Sequence, residues 1–207
     1  KQDGVVSSAS DEDKELVTDL IRNISDGTVL TPEYFNHMVG GDTISSYYSL
    51  ERDAGRYKQS HAGRIIFDTG KTAFLKRIVL RELPSAIEKA KSLPYKLKRD
   101  VKANLNESNF LKNTLVNKFN SNERTNSNEK NEGSVHIVEA YDCQAMIYAD
   151  NPIDSKFFLL LEDFCEQNGW HQFAHIDEKN MRATLRALAK FHAFFWMKDG
   201  ERKVNED

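Results

Sequence analysis

Two residues stand out for the chemistry they could do together, Lys76 and Glu107. Lys76 lies in TAFLKRIV among apolar and β-branched neighbours, so its stem can pack within a strand while its ammonium reaches a polyphosphate. Glu107 lies in YKLKRDVKANLNESNFLKNTLVNKF, where Leu97, Val101, Leu105, Phe110, Leu111 and Leu115 recur at helical intervals. A strand lysine whose charge is neutralised and oriented by a helix glutamate is suited to holding a nucleoside triphosphate, because it lowers phosphate repulsion during transfer. Each residue also has a plainer reading. A lysine in a strand is ordinarily at a sheet edge or on the surface, and a helix glutamate is ordinarily a solvated carboxylate.

The elements that must position this pair follow from pattern and punctuation. SDEDKELVTDLIRNI reads as an amphipathic helix capped by Ser10, with Leu16, Val17, Leu20, Ile21 and Ile24 on one face. Thr31-Pro32-Glu33 opens a second helix that Gly40-Gly41 stops. TISSYYSLE, GRIIFD and TAFLKRIVL read as three antiparallel strands joined by turns at Asp53-Ala54-Gly55 and Asp68-Thr69-Gly70-Lys71. Pro84 breaks the chain, and the Glu107 helix begins after Pro94. NKFNSNERTNSNEKNEGS, at about 118–133, is read as a disordered surface insertion because it offers almost nothing to bury. SVHIVEAYDCQAMIYA and KFFLLLEDF then supply two more strands, with Asp150-Asn151-Pro152 between them. Asp177 caps a final long helix whose Phe191, Phe194, Phe195 and Trp196 make its last turn apolar on nearly every face.

Other groups carry less. Asp68-Thr69-Gly70 after a hydrophobic strand resembles the active-site loop of aspartic proteases, but there is one copy, Lys71 follows it, and the same tripeptide makes a hairpin turn. His175-Ile176-Asp177 imitates a catalytic His-x-Asp, yet Arg182 stands where such a loop needs Asn. The histidines, including His136 and His192, lack metal-ligand spacing, and Cys143 and Cys165 read as reduced core thiols.

With 29 Lys+Arg against 32 Asp+Glu, a net charge of -3 and 39% hydrophobic residues, the chain has a packed core and no basic tract to suggest a nucleic-acid partner. It carries no apolar run of the length that spans a bilayer, and KQDGVVSSASDEDKE lacks a signal-peptide pattern, so no membrane partner and a cytoplasmic location are expected. Its first residue is Lys1, which suggests cutting or processing at that end.

Three passages, FLKRIV around Lys76, RDVKANLNESNFL around Glu107, and FLLLEDF followed by LRALAKFHAFFW, resemble the small-molecule kinases of the kinase-like superfamily. These include choline and ethanolamine kinases, aminoglycoside phosphotransferases and above all the ecdysteroid-kinase-like (CHK) group. The resemblance covers roughly Gly40 to Trp196. It implies that Lys76 binds the α- and β-phosphates of ATP, that Glu107 holds Lys76, and that Glu162, Asp163 and Phe164 form the hinge whose backbone meets adenine. Leu159 to Leu161 and Ile78 would wall the base, and Gly40-Gly41 with Ser45 are candidates for the turn over the phosphates. It also implies a catalytic Asp, an Asn a few residues on and a second Asp that holds Mg, all downstream of the last helix and so outside this chain.

The expected fold is α+β, a protein-kinase-like N-lobe of a five-stranded antiparallel sheet and one long helix, with N-terminal helices and the first helix of a truncated C-lobe. Residues 1–40 form the helical preface, 41–164 the N-lobe, and 165–207 the hinge exit and first C-lobe helix. The expected activity is ATP-dependent phosphorylation of a small-molecule hydroxyl. The alternative is a non-catalytic nucleotide-binding or interaction module, in which a partner or the missing lobe covers Phe191 to Trp196.

Overall fold

A computed structural model describes residues 21–40, 47–51, 60–67, 70–130, 135–164, 169 and 175–196. The chain divides into two compact units, one of Lys1–Lys112 with Glu139–Asp163, the other of Asn113–Val138 with Phe164–Asp207. Residues 113–138, expected within the N-lobe segment, thus cluster with the C-terminal part of the chain.

The first unit is α+β. Its strands β1 (Tyr47–Glu51), β2 (His61–Phe67), β3 (Thr72–Val79), β4 (Ala140–Met146) and β5 (Lys156–Glu162) form one antiparallel sheet in the order β1-β2-β3-β5-β4. β5 reads KFFLLLE because it lies between two strands and is buried on both faces, so Phe157, Phe158, Leu159 and Leu160 are all excluded from solvent. Each such side chain contributes about 1.5–3 kcal/mol by leaving water.

Residues paired directly across an antiparallel sheet share a face. Ile65, Phe67, Ala73, Leu75, Phe158 and Leu160 therefore line one side, where Ile21, Ile24, Leu30, Phe35 and Val39 cover them. The covering segment holds a short helix, α1 (Pro32–Val39), which starts on the Thr31 hydroxyl with Pro32 in its first turn and ends at Gly40, φ 85°. Ile21 to Ile24 are not the last turn of a helix. Arg22 bridges Val29, and Asp26 accepts bonds from the amide and hydroxyl of Thr28, so the segment folds back on itself. The rest of the expected first helix lies outside the described residues.

After β3 the chain makes a 3-10 turn at Leu80–Glu82 and enters two helices, α2 (Pro84–Ser92) and α3 (Pro94–Lys112). Pro84 was expected to break the chain; instead both prolines open helices, at the position where the missing N–H would have had no partner anyway. α3 is shorter than the expected helix. It stops at Lys112, and the Asn113 side chain accepts from the Leu115 amide to start another.

That next helix, α4 (Thr114–Lys130), belongs to the second unit and overturns the expected disordered insertion at 118–133 over the residues described. Val116, Phe119, Asn120 and Glu123 recur at helical spacing and are all buried. The Asn120 amide group donates to the Ile137 carbonyl at 2.8 Å and accepts from the Ile137 N–H at 2.9 Å. Glu123 accepts from Lys190 at 3.2 Å. Phe119 packs edge-on or stacked against Phe191, Phe194 and Phe195 of α5 (Glu178–Trp196). Asp177 caps α5 as expected, its carboxylate accepting from the Asn180 amide at 2.7 Å. On α5, Met181, Leu185, Leu188 and Trp196 are exposed.

The two bonds between Asn120 and Ile137 give a direct check on α4. Asn120→Ala leaves the half-buried N–H and C=O of Ile137 without these partners and should cost about 1–3 kcal/mol. A urea midpoint unchanged from the parent protein would contradict an ordered helix here.

Candidate functional site

β3 is the central strand of the sheet, paired with β2 on one side and β5 on the other. Lys76 therefore is not an edge lysine. Its register partners are Ala62 and Leu159, both apolar, and its stem lies between them. The ammonium meets both carboxylate oxygens of Glu107, at 2.9 and 2.7 Å. Leu97, Val101, Ser108 and Leu111 are the buried positions of α3, and Lys89 of α2 braces the helix by bonding Asp100 at 2.6 Å. Glu107 is thus presented from a helix fixed at several points.

Side-chain exposure is 19% for Lys76 and 38% for Glu107. A pair this open to solvent contributes about 0–1 kcal/mol to stability. Its consequence is geometric: two of the three ammonium donors are held by one carboxylate, and the third keeps a fixed direction. A cation so aimed is a ready contact for a phosphate oxygen.

Pairing register assigns the surroundings of Lys76. Ala62, Arg64, Phe74, Ile78, Cys143, Leu159 and Leu161 share its face. Of the apolar wall expected from sequence, Ile78, Leu159 and Leu161 fall on this side. Leu160 does not; it points into the core on the opposite face, because side chains alternate along a strand. Arg64 and Phe74 were missed, and the signal that locates them is the same two-residue period applied across three strands.

At the end of β5, Glu162 donates its N–H to the Glu139 carbonyl at 2.8 Å, and its carboxylate accepts from the Glu139 N–H at 3.3 Å. Asp163 is buried and accepts from Arg64 Nε at 2.5 Å. Phe164, expected with these two as a hinge, belongs to the second unit, where its ring lies 5.7 Å from that of His136. Gly40 closes α1, its N–H donating to the Asn36 carbonyl at 3.1 Å. Gly41 and Ser45 lie outside the described residues, as do Asp68, Thr69 and Cys165. Gly70, φ 80°, donates its N–H to the Phe67 carbonyl between β2 and β3.

Two further polar groups near the sheet are neutral fixtures. Burial, followed by the Asp142 carboxylate, raises the Tyr34 phenol well above its ordinary value, and its hydroxyl donates to Asp142 at 2.5 Å. Burial pushes the Cys143 thiol up to about 12, with Asp142 adding to the shift. Among the described residues no group of three His, Cys, Asp or Glu side chains could hold a metal ion, so none is assigned as a magnesium ligand. Among the same residues no helix is long and apolar enough to cross a membrane. In comparisons with protein-family models, curated proteins and solved structures, nothing matches the chain.

The folded Cys143 thiol keeps its proton where an unfolded one, ionising near pH 8.5, loses it; stability therefore falls as pH rises beyond that value. Iodoacetamide at pH 8 should leave Cys143 unmodified in the native protein and alkylate it in urea, read by peptide mapping that separates it from Cys165. Equal alkylation in both states would mean that Cys143 is open on the Lys76 face.

Proposed function

We propose that this chain holds the nucleotide in an ATP-dependent phosphotransferase of the small-molecule-kinase kind, its fold a kinase-like N-lobe, acting on a hydroxyl of a small molecule. The observation that carries the reading is the bidentate Lys76–Glu107 pair on the central strand. In this reading Lys76 neutralises charge on the α- and β-phosphates, and Glu107 keeps the ammonium aimed at them. The backbone leaving β5 at Glu162 and Asp163 meets the adenine edge. Ile78, Leu159 and Leu161, the apolar wall this reading assigns to the base, lie on the face that carries Lys76 and are buried there. Magnesium bound with ATP would share the phosphate charge. No residue of this chain is assigned to the transfer step itself, and the acceptor is named only as a hydroxyl.

A second reading is a non-catalytic nucleotide-binding or interaction module. It is favoured by the exposed Met181, Leu185, Leu188 and Trp196 of α5, which offer an apolar surface to another molecule.

The phosphotransferase reading requires ATP to bind at Lys76. Losing one charge-assisted contact costs about 1.5–3 kcal/mol, so Lys76→Ala should weaken ATP binding about 10- to 100-fold in a calorimetric titration. Glu107→Gln should weaken it less, because the ammonium remains but is no longer held. Both variants should melt within a few degrees of the parent, since the pair adds little stability. Unchanged ATP affinity in Lys76→Ala would refute the nucleotide reading.

A further inference from the structure

The ion pair between Arg64 and Asp163 joins residues 99 positions apart in the chain, and the proposed ATP site does not by itself call for it. Arg64 sits on β2 and Asp163 just past the end of β5, with β3 between them. Arg64, Phe74 and Leu161 are successive register partners, so the guanidinium reaches across β3 on the face that carries Lys76. The carboxylate it meets is 2% exposed, against 27% for the arginine side chain. A buried carboxylate at a strand end has to be paired, and pairing it across a neighbouring strand fixes where the chain leaves the sheet. Glu162, one residue earlier, is pinned on the other side by its two bonds to Glu139.

We infer that Arg64, acting through Asp163, is a positioning residue for the nucleotide base: it sets the chain at Glu162–Asp163 so that its backbone groups meet a purine edge. The inference rests on the nucleotide reading above and adds a division of labour to it. Lys76 and Glu107 serve the phosphate end. Arg64 and Asp163 serve the base end.

The test compares ATP with inorganic tripolyphosphate, which presents the phosphates without a base, by calorimetric titration of the 207-residue chain. Arg64→Met should weaken ATP binding tenfold or more and leave tripolyphosphate binding within twofold of the parent. Because that variant strands a buried carboxylate, the double variant Arg64→Met/Asp163→Leu is measured beside it. Removing both charges of a buried pair is often tolerated by the fold, and thermal melting checks that it is tolerated here. The double variant should show the same selective loss of ATP affinity. A parallel loss of both ligands would reduce the pair to a structural role and overturn the inference, as would ATP affinity retained by the double variant. A parent protein that binds tripolyphosphate but not ATP would also overturn it. Binding of neither ligand by the parent would instead bring down the nucleotide reading on which it rests.

Discussion

A lysine in the middle strand of a sheet must have somewhere to put its charge. Lys76 is flanked by β2 and β5, with Ala62 and Leu159 beside its stem, and its ammonium leaves the sheet on that face. Glu107 fills the requirement from α3, and much else in the first unit follows from bringing α3 there. Two proline-started helices turn the chain after β3, Leu97, Val101 and Leu111 bury one side of α3, and the Lys89–Asp100 bond ties α2 to α3. Since the pair itself adds little to folding free energy, the construction around it is better understood as holding a cation in place than as a source of stability.

The sheet separates two jobs by face. One side is packed with the α1 segment into a core that includes Phe35, Leu75, Phe158 and Leu160, while the other buries Ile78, Phe157 and Leu159. That other side also carries two ion pairs, Lys76 with Glu107 and, two residues along the register, Arg64 with Asp163. Alternation along β3 and β5 makes the separation automatic: a slip of one residue in either strand would exchange core for site.

Much of this was legible in the sequence, and the failures have specific causes. KFFLLLE and TAFLKRIV declare buried strands by composition, and Thr31-Pro32 and Asp177 declare helix starts by chemistry that does not depend on tertiary context. Lys76 could be singled out because a charge in an apolar strand is conspicuous, and Glu107, between Asn106 and Ser108, only as its partner. α4 was illegible because half of its buried stripe is polar; Asn120 and Glu123 are satisfied by Ile137 and Lys190, which only the folded chain brings near. Pro84 was misread because a proline marks a helix start as readily as a break. Leu160 was grouped with its neighbours because a run of leucines hides the two-residue period, and Arg64 went unnoticed because its partner is on another strand 99 residues away.

The central claim, that Lys76 faces the phosphates of a bound nucleoside triphosphate, is tested most directly by an acyl-phosphate derivative of ATP, which transfers its acyl group to a lysine amine within reach of the phosphate chain. Peptide mass spectrometry should find the acyl group on Lys76 ahead of other lysines, and excess unmodified ATP should suppress it. Labelling spread over surface lysines with Lys76 untouched, or labelling of Lys76 that ATP does not suppress, would contradict the account.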